Sequence, residues 1–419
     1  MAVRYVVEGG KPLHGEAQVS GSKNAALPIL CATLLYPGET IIDRVPQITD
    51  VEQILLLLQD LGCQVRREGE RIFVDATHAQ SRPLPREKTS ALRASVLLLG
   101  PLLGRFGEVD MGLPGGCAIG RRPIDYHVDV ARQMGAEVQR KDGSVGLRVS
   151  SLMGGQVVLP EVSVGATENA LLLAAAAQGP TWIYGAAREP EIYDLAGFLQ
   201  QMGISVCGAG SDRILVCPKA MTATQYAVMP DRIEAGTLLA AAAGTHGKIF
   251  LHDADWRTMG RILSFFGRCG CRMGVEKGGL WLKAPKRLRA CPLLLTKTYP
   301  GFPTDMQPLS AAVLTTAKGT SMIMEQIFEN RFLHLKSLNA MGGRTACSGR
   351  VAVIDGVRCL QGCVVKATDL RAGAALVVAG LMAQGETVVE NGQYIQRGYG
   401  ALEQKIERLG GRIRLEEGR

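Results

Sequence analysis

Cysteine chemistry is the most specific chemistry this sequence offers. In residues 112–127, GLPGGCAIGRRPIDYH, Cys117 stands among four glycines and two prolines, and Arg121 and Arg122 follow it. A thiol beside guanidinium groups gains reactivity because the cations favour its thiolate. Chain this rich in glycine predicts a mobile flap that closes over a bound molecule. A buried, inert cysteine is the ordinary alternative, and it suits Cys31, Cys63 and Cys217, which lie in apolar runs. No apolar run surrounds Cys117, so a chemical role is the better reading there.

A second set of polar residues stands where runs rich in Ala and Leu begin: Lys23 with Asn24, Arg93, Glu168, Arg232 with Glu234, Asp305 and Arg371. Such runs predict helices, and helix N-termini attract anions through free N–H groups and partial positive charge. Asp305 and Glu168 fit ordinary helix caps as well. Lys and Arg cap helix starts poorly, so Lys23, Arg93 and Arg371 point to bound anions instead. Arg397, in NGQYIQRGYG, is flanked by glycine and polar residues, and Arg331 lies in IFENRF, where a solvated surface position is an equally good account. Arginine is the natural binder of planar carboxylates and phosphates. If the helix starts of two domains converge, they form an anion-binding cleft between the domains.

The elements that must position these residues recur six times. Each unit reads as a polar residue, a small-residue helix, a Gly turn, a β-branched run (TIIDRV, TWIYG, KIFLH, TVVE), a second helix and a closing Gly. Units follow one another at roughly 65–75 residues, long enough for a complete α/β motif. Ala- and Leu-rich segments form helices that can be buried all round. The β-branched runs favour strands, and the closing glycines suit the positive φ of a helix C-cap. Short strands such as RIFVDA and GLWLKA finish each unit as about βαβαββ. Six units make an α/β protein of two three-repeat domains, 22–231 and 1–21 plus 232–419.

Composition narrows the class further. The chain has 419 residues, 47% hydrophobic and 21% charged, with no low-complexity run, so a large folded core is expected and disorder is not. The net charge of +8 comes without a basic run or interleaved aromatics, which favours a local basic cleft over a nucleic-acid face. The opening MAVRYVVEGG is too short in apolar length for a signal peptide, and ALLLAAAA falls well short of a membrane span. Eleven cysteines at irregular spacings read as free thiols in a reducing cytosol. Neither Cys269 and Cys271 nor Cys359 and Cys363 has the partners zinc needs, and the six histidines form no ligand pair, so no metal is expected.

The stretches GSKNAALPIL, LPGGCAIGRRPIDYH, SVGATEN, AAREPEI, PDRIEAGT, YPGFPTDMQ, IFENRF, ATDLRAGAALVVAG and RGYG resemble the UDP-N-acetylglucosamine 1-carboxyvinyltransferases, a family of enolpyruvyl transferases in peptidoglycan synthesis. The resemblance runs along essentially the whole chain, in order. It implies an inside-out α/β barrel of two domains with the active site in the interdomain cleft. It also implies phosphoenolpyruvate and UDP-N-acetylglucosamine as substrates, no metal or organic cofactor, no nucleic acid or membrane partner, and a monomer in the cytoplasm. By this resemblance Cys117 protonates the methylene carbon of phosphoenolpyruvate or forms an adduct with it, and Asp305 takes the proton of the sugar 3-hydroxyl. Lys23, Arg122 and Arg397 resemble the cationic set around phosphate and carboxylate, and Asn24 and Asp305 would contact the sugar. Arg93, the segment Arg122, Pro123, Ile124, Asp125 and Tyr126, the segment Ser163, Val164 and Gly165, and Ile327 resemble the UDP-sugar contacts. Asp369 and Arg371 resemble groups just behind the cysteine and Arg397, and Arg331 joins the substrate-binding set.

One departure is visible: some members carry a basic residue just before the SVGAT segment, where this chain has Glu161. The shikimate-pathway enolpyruvyl transferase shares architecture and donor but lacks the Cys-bearing loop, so Cys117 with Arg122 argues against it. A basic repeat protein that binds nucleic acid is the alternative from another class. It predicts binding that weakens steeply with salt and no consumption of phosphoenolpyruvate.

Overall fold

A computed structural model describes residues 3–115, 119–120, 123–141 and 143–418. These form two compact units, one built from residues 3–20, 119–120 and 230–418, the other from 21–115 and 123–229. Cys117 and Arg122 lie outside the described residues.

The repeat is visible strand by strand. In the second unit Glu39–Asp43 pairs antiparallel with Arg71–Asp75, which pairs antiparallel with Gln64–Glu68, and Thr224–Ala227 adds parallel on the far side. Thr40 and Ile42 face inward and Ile41 stands between them on the outer face, the period-two alternation of a half-buried strand. The sheets led by Thr181–Tyr184, Lys248–His252, Thr320–Met324 and Glu386–Glu390 follow the same four-strand order. In the sixth, Glu108–Gly112, Ser144–Arg148 and Glu137–Lys141 form three strands, and a single bridge from Leu84 to Met111 stands in for the fourth. The six sheets are separate in their hydrogen bonding, so neither unit closes into a continuous β-barrel among the described residues.

Small residues set the interior. In the first unit the helices Arg232–Gly244, Gln307–Leu314 and Leu370–Met382 pack on one another. Every residue of Arg232–Gly244 is buried, as composition without an amphipathic stripe demands. A Cβ at Gly236 would sit 2.6 Å from the Met306 sulfur, so the close approach of these helices depends on its absence. The closing glycines 62, 135, 203, 270, 342 and 410 all take φ between 80° and 101°, the left-handed C-cap conformation that only glycine enters without cost.

One helix start differs from the sequence expectation, and a second keeps its place at Arg232 but takes its cap from Asp231. Glu168 lies one turn inside the helix Val164–Ala175, whose cap is Ser163: its Oγ accepts from the Ala166 N–H at 3.3 Å. Glu234 lies inside Arg232–Gly244, capped by Asp231, and its carboxylate pairs with Lys405. The short polar side chain at each true start competes for the free N–H groups better than a longer acid further along.

Candidate active site

In the first unit Pro303 leads into the 3-10 turn Thr304–Met306, and the helix Gln307–Leu314 continues from it. Pro303 and Met306, not Asp305, stand at the two cap positions. Asp305 Oδ1 accepts from Arg331 Nη2 at 3.1 Å, and its Oδ2 accepts from Arg371 Nε at 3.0 Å with Arg371 Nη2 also at 3.0 Å. Arg331 is not a surface residue: its side chain is 3% exposed and that of Arg371 4%, against 28% for Asp305. Two buried cations therefore grip a carboxylate that stays partly exposed. Charge-assisted, forked hydrogen bonds of this kind are the strong class. Removing the acid would strand both guanidiniums in a poorly solvated place.

Asp369 completes the set. It caps the helix Leu370–Met382 through Oδ1, which accepts from the N–H groups of Arg371 and Ala372 at 3.1 Å, and it lies 3.7 Å from Arg331 Nη1. Arg371 also lies over the Tyr399 ring, 5.3 Å from its centroid, and Tyr399 shares a hydrogen bond with Thr237. Burial pushes the His334 imidazole down to about 4, outweighing the pull of Asp369, so the ring beside this cluster is neutral at physiological pH. Arg397 follows the short helix Gln393–Gln396 and is half-buried.

Glu325, which sequence reading missed, ties two predicted residues together. Fully buried, it accepts from the N–H groups of Ile327 at 2.8 Å and Phe328 at 3.2 Å, and from Thr304 Oγ1 at 2.9 Å. The loop bearing Ile327 is thereby anchored to the turn bearing Asp305.

In the second unit Lys23 is the first residue of the helix Lys23–Ala32, with Asn24 half-buried after it. Lys23 Nζ lies 2.5 Å from Asp50 Oδ2, a partner the sequence did not suggest. Arg93, opening the 3-10 turn Arg93–Leu98, donates to the Pro123 carbonyl at 2.9 Å. Pro123 is exposed, while Ile124, Asp125 and Tyr126 are half-buried where the helix Asp125–Gln133 begins. Glu161 accepts a hydrogen bond from the Tyr126 hydroxyl and so pushes that group's pKa upward. The acidic substitution before the SVGAT segment thus has a partner within the predicted contact set. Ser163, Val164 and Gly165 are half-buried at the start of Val164–Ala175. Further along that helix, burial, with Glu191 and Glu189 adding to it, pushes the Glu168 carboxyl from 4.5 up to about 8.

Two of the three apolar-run cysteines are buried, and burial pushes the Cys63 thiol up to about 12; Cys217 is only half-buried. The described cysteines are all free thiols. Among the described residues no three His, Cys, Asp or Glu side chains group as a metal site, and no helix is long and apolar enough to cross a membrane.

The model of the EPSP synthase (3-phosphoshikimate 1-carboxyvinyltransferase) family matches residues 7–406. UDP-N-acetylglucosamine 1-carboxyvinyltransferase 1 of Caldanaerobacter subterraneus subsp. tengcongensis is 42% identical over 416 residues, 99% of each chain. The UDP-N-acetylglucosamine 1-carboxyvinyltransferase of Myxococcus xanthus is 42% identical over 420 residues, again 99% of each. Among solved structures, the enolpyruvyl transferase NikO from Streptomyces tendae superposes with a TM-score of 0.89 at 24% identity, covering 99% of both chains. An EPSP synthase from Acinetobacter baumannii does so with 0.76 at 18% identity, covering 100% of both. The chain belongs to the enolpyruvyl transferase family, and it is a transferase of the kind its UDP-N-acetylglucosamine 1-carboxyvinyltransferase relatives represent.

Proposed function

We propose that this enzyme transfers the enolpyruvyl group of phosphoenolpyruvate to the 3-hydroxyl of UDP-N-acetylglucosamine with release of phosphate, the first committed step of peptidoglycan synthesis. The observation that supports the reading is the Asp305 carboxylate, gripped by Arg331 and Arg371 yet partly exposed. Asp305 takes the proton of the sugar hydroxyl as its oxygen bonds to C2 of phosphoenolpyruvate, and Cys117 gives a proton to C3. In the second half C3 loses a proton, the C2–O bond to phosphate breaks, and phosphate leaves.

Lys23, Arg122 and Arg397 balance the charge of the donor's phosphate and carboxylate, and Asp50 holds Lys23 in place. Asn24 and Asp305 contact the sugar. Arg93, Arg122 to Tyr126, Ser163 to Gly165 and Ile327 hold the nucleotide, with Arg93 acting in part through the Pro123 carbonyl. Asp369 fixes the helix start that presents Arg371. We place the enzyme in the cytoplasm, where both phosphorylated substrates are at hand, and read it as a monomer.

Phosphate release from phosphoenolpyruvate tests this, with UDP-N-acetylglucosamine or shikimate 3-phosphate as acceptor. Release with the nucleotide sugar alone is expected; release with shikimate 3-phosphate alone, or with neither, overturns the reading. Cys117→Ala should abolish turnover while calorimetry still detects the nucleotide sugar, and Cys117→Asp should retain activity, because a carboxylic acid also supplies the proton. Loss of sugar binding in the Ala variant, or an inactive Asp variant, would count against the acid role.

A further inference from the structure

We infer that His127 is a positioning residue for the acceptor's nucleotide, locking the first turns of the helices Asp125–Gln133 and Val164–Ala175 into one platform. This rests on the nucleotide-sugar reading above.

His127 is 5% exposed and Asn169 is fully buried. The Asn169 amide has a fixed orientation: its Oδ1 accepts from the Gly100 N–H at 3.0 Å, and its Nδ2 donates to the Val96 carbonyl at 3.0 Å. The same Nδ2 donates to His127 Nδ1 at 2.7 Å. With Nδ1 accepting, the neutral ring carries its proton on Nε2.

That other edge of the ring lies against Gly165. A Cβ built on Gly165 would fall 2.9 Å from His127 Cε1 and 3.3 Å from Nε2, with Glu168 Oε2 at 3.9 Å. The imidazole occupies the space a side chain at 165 would need, so Gly165 is set by close approach and not by an unusual backbone angle. A third tether comes from the 3-10 turn Arg93–Leu98: Arg93 holds the Pro123 carbonyl while Val96 holds Asn169. Segments 123–126 and 163–165, both placed on the nucleotide, therefore cannot shift independently. An apolar side chain would fill the site of His127 without burying polar atoms. A hydrogen-bonding ring is suited to fixing one helix start against another, and displacements of about 1 Å in binding segments cost up to ~100-fold.

The test uses steady-state kinetics of the full-length enzyme with each substrate varied in turn. His127→Phe keeps a flat ring, somewhat larger, and removes the acceptor; its KM for UDP-N-acetylglucosamine should rise about tenfold while kcat and the KM for phosphoenolpyruvate change by less than about twofold. His127→Asn, which can still accept from Asn169, should recover most of that loss. Asn169→Ser, which withdraws the donor from the ring and leaves His127 in place, should reproduce the shift and serves where the Phe variant fails to fold. An unchanged KM for the nucleotide sugar in these variants overturns the inference. So does a fall in kcat with equal changes in both KM values, the mark of a merely structural residue. A wild-type enzyme that does not turn over the nucleotide sugar overturns the acceptor reading itself, and is seen before any variant is made.

Discussion

The helix starts of the two units handle buried charge in opposite ways. In the first, Asp305 is answered by two guanidiniums, and Asp369 lies within reach of one of them. In the second, Glu168 is buried beside Glu191 and Glu189, and its carboxyl is pushed to about 8, so it keeps its proton at neutral pH. One repeat scaffold thus offers a carboxylate fixed between cations, the proton acceptor of the function proposed above, and a buried acid that stays neutral. The difference lies in what surrounds each acid, not in where the repeat places it.

The sharpest way to break this contrast is Asp305→Asn. It keeps the shape and removes the base, so kcat should fall about 10²–10⁴-fold, with nucleotide-sugar binding by calorimetry largely kept. A variant with near wild-type kcat would remove Asp305 from the chemistry.

Glu168→Gln probes the other side. Below pH 4.5 the acid is protonated in both the folded and unfolded chain, and its stabilising effect is complete. Between 4.5 and about 8 the unfolded chain releases the proton that the folded chain keeps, so stability falls as pH rises and the loss is complete above about 8. Gln mimics the protonated acid and lacks this decline. Thermal unfolding across pH 5–8 should show the wild type losing up to a few kcal/mol relative to the variant. Parallel curves would mean that Glu168 is ionised in the fold.

Arg371→Lys is the gentlest of the three. A single ammonium cannot reproduce the Nε and Nη2 contacts to Asp305, and kcat should fall about 10–100-fold. Full activity would mean that charge alone, without the fork, suffices.

Much of the scaffold was legible in the sequence because repeats declare themselves locally. Ala-rich runs, β-branched runs and closing glycines are short-range signals, and the six glycine φ angles obey one rule. Lys23, Asp305 and Arg371 could be singled out because a charged residue beside a small-residue run stands apart. Their partners could not: Asp305 meets Arg371 across 66 residues and His127 meets Asn169 across 42. Pairings at that separation are fixed by packing of whole elements and leave no periodic trace. Glu325 was missed for a related reason, since its acceptors face backbone N–H groups, which every sequence possesses. The helix start was set one turn too late, at Glu168, because the apolar run begins after it, while the cap at Ser163 lies before it.

The most direct test of the account is a competition. Purified enzyme receives phosphoenolpyruvate labelled with carbon-13, together with equal UDP-N-acetylglucosamine and shikimate 3-phosphate, and the products are identified by mass spectrometry and NMR. One labelled product is expected, the enol ether at the 3-oxygen of the nucleotide sugar, with shikimate 3-phosphate recovered unchanged. Label on shikimate 3-phosphate, or phosphoenolpyruvate left unconsumed, would contradict it.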